Sequence, residues 1–172
     1  VYVLACWPLR FDGFVPITNG SAASVWFDHP SRPLRMLIVD GESRISHIRT
    51  PMLRDIAMAC ETAAVHGEPF DLVLGDFNSV SRSIGFDRIS QPQGNYQLAS
   101  RACVGWRGTW PSFFPVLDID HIWARSEWPI LGCRVFTNRA SDHRGQVVEL
   151  GVPPRPRMLT QTTNTDTNRW PP

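Results

Sequence analysis

The sequence contains no lysine, and all 17 of its basic residues are arginine. Its 16 acidic residues nearly balance them, so the net charge of +1 gives no strong field toward nucleic acid or a membrane surface. This balance counts against a general DNA-degrading enzyme, which must engage many phosphates. A GC-rich genome explains the arginine bias better than a physical need does, although arginine suits phosphate recognition.

Cysteine is scarce, and its four copies are widely scattered. Cys6, Cys60, Cys103 and Cys133 form no C-x-x-C pair, which argues against a zinc site and leaves disulfide bonding open. The sequence also lacks a signal peptide and any apolar run long enough to span a membrane. Because it begins at Val1 inside an apolar run, we expect a soluble fragment of a longer protein, whose localisation stays unassigned.

The remaining composition is that of an ordinary globular protein, with 42% hydrophobic and 19% charged residues. The chain has 172 residues, and a domain of this size buries about 70% of its unfolded surface. We expect one domain over residues 1–151. From Val152 onward the chain is rich in Pro, Thr and Asn without a hydrophobic pattern, which predicts a disordered tail over residues 152–172.

Strand and helix signals alternate along the chain and predict an α/β domain. Thr50-Pro51 indicates the start of a helix with Thr50 as its N-cap, and Gly67 indicates its end. Turns are predicted at Asp12-Gly13 and Asn19-Gly20. Apolar runs predict strands at 1–6, 14–18, 23–27, 34–39, 71–74, 96–99, 117–124, 133–137 and 146–150.

The stretch Asp71–Val80 carries the strongest local signal. Its apolar residues 72–74 are typical of a buried strand, which Gly75 ends. Asp76 and Asn78 follow, and in extended backbone their side chains point to the same side. A carboxylate and an amide therefore lie just past a strand end, where α/β folds usually place chemistry. Taken alone, the stretch fits a strand followed by an Asx turn equally well.

Further acidic groups lie beside two other predicted strands. Asp120 falls inside the strand at 117–124, where a charge is costly unless it is paired or bound to metal, and His121 could pair it locally. Asp142-His143 precedes the last strand and by itself fits an Asx turn. Together with the pair after the central strand, these residues suit Mg²⁺-assisted attack on a phosphate ester. Mg²⁺ prefers carboxylates plus substrate oxygens, and imidazole can take a proton from water.

Four ordered segments resemble motifs of the endonuclease/exonuclease/phosphatase superfamily. They are Leu-Gly-Asp-Phe-Asn at 74–78, Gly-Thr-Trp-Pro-Ser at 108–112, Ile-Asp-His-Ile at 119–122 and Ser-Asp-His at 141–143. One such segment would be a weak signal, but four at sensible spacing are specific. The resemblance runs from about Val1 to Leu150. It implies a DNase I-like fold, a four-layer sandwich of two packed mixed β-sheets flanked by helices, with the first strands missing.

The resemblance also implies a role for each matching residue. His143 would be the general base or a ligand of the attacked phosphate, and Asp120 would orient it. Asp76 would position or activate the water, and Asn78 would hold the phosphate. Asp142 would help Asp76 to bind the metal, which the resemblance implies to be Mg²⁺ or Mn²⁺.

Candidate substrate contacts besides Asn78 lie on the 108–112 segment and on one predicted strand end. Thr109 and Ser112 belong to the segment, and Arg107 flanks it. Arg107 and the neighbouring tryptophans could stack on bases or contact phosphates, although packing is their more ordinary role. Asp40 ends the strand at 34–39, where many family members have a histidine; a carboxylate there could bind water or metal but could not clamp phosphate as a cation.

Two departures from the family pattern matter. One is Asp40; the other is that nothing matches the Asn of the family's first strand or its metal-binding Glu, because the chain starts after them. His47 lies outside the family's context, and we expect it, like His29 and His66, to be a surface residue. Arg54 would match the arginine that often begins the family's central helix.

The function predicted from these residues is hydrolysis of a phosphodiester or phosphomonoester by a divalent-metal-dependent phosphoesterase. The substrate would be a nucleic acid, a phospholipid or a small phosphate, and the motifs do not choose among them. No obligate protein partner is implied, and we expect a monomer. The alternatives are a non-catalytic binding module on the same fold and an incomplete gene product without activity.

Overall fold

A computed structural model describes residues 3–153 except residues 45, 91–94 and 138. The described chain forms a six-stranded sheet and a separate two-stranded sheet. The larger sheet has the order β1-β2-β3-β4-β6-β5, and the smaller pairs β7 with β8. The strands are β1 (Leu9–Val15), β2 (Gly20–Phe27), β3 (Leu34–Gly41), β4 (Leu72–Asp76), β5 (Tyr96–Leu98), β6 (Asp120–Arg125), β7 (Ile130–Thr137) and β8 (Arg144–Leu150). The helices are α1 (Thr50–Val65) and α2 (Phe86–Ser90), and a 3₁₀ turn spans Ala99–Ala102.

Strands β3 and β4 are parallel, and α1 connects them. The other strand pairs are antiparallel, including β4 with β6. In this register Asp40 is opposite Asp76, and Asp76 is opposite Asp120. Residues directly opposite each other on neighbouring strands project from the same face of a sheet. The pairing therefore sets three carboxylates in one row across the sheet's centre.

Helix α1 covers one face of the larger sheet and forms the core with it. Its buried residues recur at helical spacing, which places them on a single face; they are Met52, Leu53, Ile56, Ala57, Cys60 and Ala63. They share one cluster with Leu37, Val39 and Val73 of the two parallel strands. The alternate strand residues, such as Met36 and Leu72, line an apolar depression on the opposite face.

The N-terminal part of the fold corrects two predictions. Residues 3–6 are exposed and form no strand, and residues 1–2 lie outside the described chain. The turn expected at Asp12-Gly13 is instead a bulge inside β1, with Gly13 at φ +142°. The Asp12 carboxylate accepts hydrogen bonds across the strands from Ser24 (2.8 Å) and Arg35 (2.6 Å), so it has cross-strand partners in place of a turn.

Three element boundaries also differ from the prediction. Thr50 is the first helical residue of α1, and its N-cap is Arg49, with no side-chain cap. Strand β4 continues through Gly75 to Asp76, and β6 begins only at Asp120. A Cys103–Cys133 disulfide settles the pairing that cysteine spacing left open. Nearly all of the predicted tail lies outside the described residues, so its disorder remains a prediction.

Candidate active site

The Asp76–Asn78 turn forms one wall of the site. Asn78 has φ +44°, so of the two alternatives the backbone adopts the turn and is not extended. The Asn78 backbone N–H donates to Asp76 Oδ1 (2.7 Å), and its Nδ2 donates to Asp76 Oδ2 (3.0 Å) and to the Gly41 carbonyl (2.8 Å). Gly75 is required before this turn, because a side chain there would collide with the backbone of Val39. The Asx turn thus places the Asp76 carboxylate and the Asn78 amide in the site. The structural and the functional interpretation of this stretch are therefore compatible.

The second wall is a hydrogen-bonded pair of Asp120 and His143. Asp120 Oδ2 accepts from His143 Nδ1 at 2.9 Å. Asp120 is held in turn, because its backbone N–H donates to the hydroxyl of Thr109 (3.2 Å) and its carbonyl accepts from Gln146 (2.8 Å). This arrangement fixes the tautomer of His143 and leaves its Nε2 for chemistry.

His121 does not pair with Asp120, as the sequence had allowed. Successive strand residues face opposite sides of a sheet, so His121 lies on the buried side. Its Nε2 donates to the Ser79 carbonyl at 2.7 Å, and its ring packs against Phe77 and Phe86. Burial lowers the pKa of His121. It is therefore a neutral core residue.

The row of carboxylates perturbs two titrating groups. Burial raises the pKa of Asp76 to about 6, and the charges of Asp120 and Asp40 add to the rise. Burial disfavours protonation of His143, but its hydrogen bond to Asp120 and the charges of Asp120, Asp76 and Asp142 outweigh it, so the pKa of His143 is raised. The shift of His143 reflects the negative charge around it, whereas that of Asp76 is due first to burial.

Asp76, Asp120 and His143 can each offer one ligand atom, and these atoms lie within 4.8 Å of one another. Two hard carboxylate oxygens whose charge is uncompensated fit a divalent cation such as Mg²⁺. Asp142, a predicted ligand, is not in this set. Its Oδ2 accepts a hydrogen bond from Trp110 Nε1 at 3.2 Å.

These walls enclose an open cleft of about 490 Å³. Four of the predicted site residues line it together, namely Asp76, Asn78, Asp142 and His143. The other residues lining the cleft are Ser43, His47, Arg49, Trp110, Leu117 and Ile119.

The profile of the Endonuclease/Exonuclease/phosphatase family matches residues 18–143. The chain belongs to this family. Its DNase I-like fold is confirmed by the mixed sheet with its second, smaller sheet and by solved structures of similar fold. A search of curated proteins found no match.

Three solved structures illustrate the likeness. A mannosyl-6-phosphatase of Bacteroides thetaiotaomicron is 19% identical with a TM-score of 0.56, covering 77% of this chain and 57% of its own. The human Nocturnin catalytic domain with bound sulfate is 15% identical with a TM-score of 0.55, covering 82% and 60%. D. rerio TDP2 in complex with a single-strand DNA product is 13% identical with a TM-score of 0.57, covering 84% and 69%. The chain thus spans little more than half the length of several relatives of similar fold.

The other predicted substrate contacts of this family member lie outside the cleft lining. Arg107 is exposed and donates to the Arg101 carbonyl (3.4 Å). Thr109 is fully buried, so its hydroxyl supports the start of β6 and does not meet solvent. Ser112 donates its hydroxyl to the Ser141 carbonyl, which braces the loop that carries His143. Asp40 is exposed and lines a neighbouring depression.

Sequence reasoning missed two residues of the cleft. His47 was expected on the open surface, like His29 and His66, but it lines the cleft with its Nδ1 2.6 Å from Glu42 Oε2. Arg49 lines the cleft as well, whereas Arg54, the arginine expected to match the family pattern, is exposed on α1. The position of Arg49 directly before the Thr50-Pro51 helix start is the one signal that could have found it. Among the described residues, no helix is both long and apolar enough to cross a membrane.

Proposed function

We propose that the protein is a divalent-metal-dependent phosphoesterase that hydrolyses a phosphodiester or phosphomonoester, with Asp76 activating the water and His143 binding a phosphoryl oxygen. The observation that carries this proposal is the clustering of Asp76, Asp120 and His143, whose ligand atoms lie within 4.8 Å of one another, two of these residues lining the cleft. Family members are phosphoester hydrolases, which agrees with this chemistry.

His143 and Asp76 would share the two tasks of the reaction. Hydrolysis needs a base that takes a proton from water and a donor that meets the phosphoryl oxygens. Asp76, with a pKa of about 6, is mostly ionised at neutral pH and can still accept a proton. His143, with its raised pKa and its Nδ1 on Asp120, can carry a proton at Nε2 and donate it to a phosphoryl oxygen. The oxygen of water forms the new P–O bond while the bond to the leaving group breaks.

The carboxylates of Asp76 and Asp120 would hold the cation, and Asp142 would support it from the same cleft. Bound there, Mg²⁺ or Mn²⁺ would neutralise charge on the phosphoryl oxygens. Asn78 orients Asp76 through its amide, because both amide hydrogens are occupied by Asp76 and Gly41. The amide atom left for substrate is the acceptor Oδ1, so we propose Asn78 as a contact for a donor group of the substrate beside the phosphate.

The chemistry of the site supports a phosphate ester as the substrate class. The proteins of similar structure act on or bind different kinds of phosphate compound. One is a mannosyl-6-phosphatase and another holds a DNA product. A nucleic acid, a phospholipid headgroup or a sugar phosphate all present the group that this cleft would bind.

The test is a panel of nucleic acids, phospholipids, inositol phosphates and sugar phosphates offered to the full-length protein. We expect hydrolysis of at least one class with Mg²⁺ or Mn²⁺ and none in excess chelator. His143→Ala should remove nearly all of it, at least about 10³-fold, whereas His66→Ala, at the far end of α1, should not. Full activity in chelator, or a His143→Ala variant as fast as the parent, would sink the mechanism. A folded protein that hydrolyses nothing would favour the non-catalytic binding module.

A further inference from the structure

The loop between β3 and α1 adds two basic residues to a cleft that also holds two carboxylates. His47 and Arg49 both line it, beside Asp76, Asp142 and His143. The last polar side chain of β3, Asp40, lies in a different depression. A phosphate ester entering this cleft would meet repulsion from the carboxylates, so cationic groups on its loop side matter for binding.

Arg49 holds this loop in place with three hydrogen bonds. Its Nε donates to the Asn78 carbonyl (3.0 Å), Nη1 to the His47 carbonyl (3.2 Å) and Nη2 to the Arg44 carbonyl (2.9 Å). One guanidinium therefore ties the backbone of His47 to the turn that carries Asn78. The planar fork of arginine suits such a multiple contact better than a lysine would.

The ring of His47 is held from the other side. Its Nδ1 lies 2.6 Å from Glu42 Oε2, and the side chain remains 31% exposed. Glu42 Oε2 accepts a hydrogen bond from Nδ1–H, which leaves Nε2 as the ring nitrogen available to the cleft. No described residue forms a hydrogen bond with that Nε2. A histidine whose Nδ1 is held by a carboxylate can donate from Nε2–H to an anionic oxygen.

We propose that His47, held by Glu42, binds a nonbridging oxygen of the substrate's phosphate group through Nε2, with Arg49 as its positioning residue. This inference rests on the proposed phosphoesterase function and names a binding contact within it. His47 thus supplies from a loop the cationic contact that the carboxylate of Asp40 cannot provide.

The test compares His47→Gln with the parent in the full-length protein, using inorganic phosphate as the probe in isothermal titration calorimetry with Mg²⁺ present. Losing one charge-assisted hydrogen bond should weaken phosphate binding about tenfold. For the best ester of the substrate panel, KM should rise about tenfold while kcat changes less than about threefold. Glu42→Gln should shift both quantities in the same direction by a smaller factor. His66→Gln, an exposed histidine whose ring contacts the Thr62 carbonyl, is the matched control and should change neither.

Two results would overturn the proposal: equal phosphate affinity in parent and His47→Gln, or a fall in kcat with KM unchanged. Absence of phosphate binding by the parent would overturn it too. Circular dichroism checks that the variants fold, and if His47→Gln does not, Glu42→Gln carries the same comparison. If phosphate binding depends on His47 but no ester is hydrolysed, the proposed function fails while this contact stands.

Discussion

Two histidines of the cleft are each held through Nδ1 by a carboxylate, and the surroundings of the two pairs differ. Asp120, the partner of His143, is the first residue of strand β6, and its backbone N–H donates to the Thr109 hydroxyl. Glu42, the partner of His47, lies on a loop. Its Oε1 also forms a salt bridge with Nε of the exposed Arg44 at 3.0 Å. The first pair joins a sheet residue, Asp120, to a histidine on a loop, whereas both residues of the second pair lie on a loop that Arg49 ties to the Asn78 turn.

The difference extends to the charges around each ring. His143 faces Asp76 and Asp142 in addition to its partner, and together they raise its pKa. The structure describes only Glu42 as an ionic partner of His47. A rigid pair among several carboxylates suits proton transfer and metal binding, whereas a pair on a loop suits substrate binding.

The largest difference between the two pairs is expected when the charge of each carboxylate is removed and its shape is kept. Asp120→Asn should lower kcat by about 10²-fold or more, because an amide no longer fixes the tautomer or stabilises the charged ring. Glu42→Gln should leave kcat within about threefold and act on KM. Steady-state kinetics on the best substrate measure both. Equal effects of the two substitutions on kcat would erase the distinction between the pairs.

The stabilisation by a bound metal should also depend on the Asp120–His143 pair and not on the Glu42–His47 pair. Saturating Mg²⁺ should raise the melting temperature of the parent, since a ligand that binds only the folded state stabilises it. Asp76→Asn and Asp120→Asn should lose most of that increase, and Glu42→Gln should keep it. Thermal unfolding with Mg²⁺ and with chelator measures the shift. Asp142→Asn tells whether Asp142 belongs to the ligand set, as the family resemblance implies.

The pH dependence of stability follows from the two raised pKa values. A carboxyl whose folded pKa is raised from 3.8 to about 6 stabilises the fold below pH 3.8, and this contribution is lost as pH rises through about 6. His143 acts in the same direction, because its raised pKa gives stability that is present below pH 6.5 and lost above. The melting temperature of the metal-free protein should therefore fall from about pH 5 to about pH 8.

Asp76→Asn is the matched variant for this titration. It removes one of the two groups and should flatten the fall, raising the melting temperature near pH 7 by about 2–4 °C if the gain is about 1 kcal/mol. A parent and variant with parallel pH profiles would show that Asp76 does not titrate as the carboxylate row requires. Mg²⁺ should reduce the difference between them, since a bound cation compensates the same charge.

The central residues of the candidate site could be predicted from the sequence because they belong to short motifs. Asp76 and Asn78 follow a plain apolar strand, and Asp142-His143 precedes another. Their meeting in one cleft depends on register, which pairs Asp76 with Asp120 across β4 and β6. Local patterns carry no register information between strands distant in the sequence, so only the resemblance to a family could anticipate it.

Loop residues escaped prediction for a different reason. His47 lies in a segment without hydrophobic periodicity, and its place depends on hydrogen bonds from Arg49 to carbonyls that no pattern reveals. Thr109 shows the converse error, since its motif implied substrate contact and its position is completely buried. A motif identifies which residues belong to a site, but burial decides whether a residue touches substrate or supports one that does.

Thr109 provides the smallest and most selective test. Its hydroxyl accepts the backbone N–H groups of Ile119 (3.1 Å) and Asp120 (3.2 Å), so Thr109→Val leaves two buried donors without their partner. We expect a loss of about 1–3 kcal/mol in the free energy of unfolding, measured by urea denaturation, with Thr109→Ser close to the parent. Because Asp120 shifts with its backbone, kcat should fall modestly while phosphate affinity, which depends on His47, stays unchanged. A Thr109→Val variant that lost phosphate affinity as strongly as kcat would mean that the two pairs form one mechanical unit.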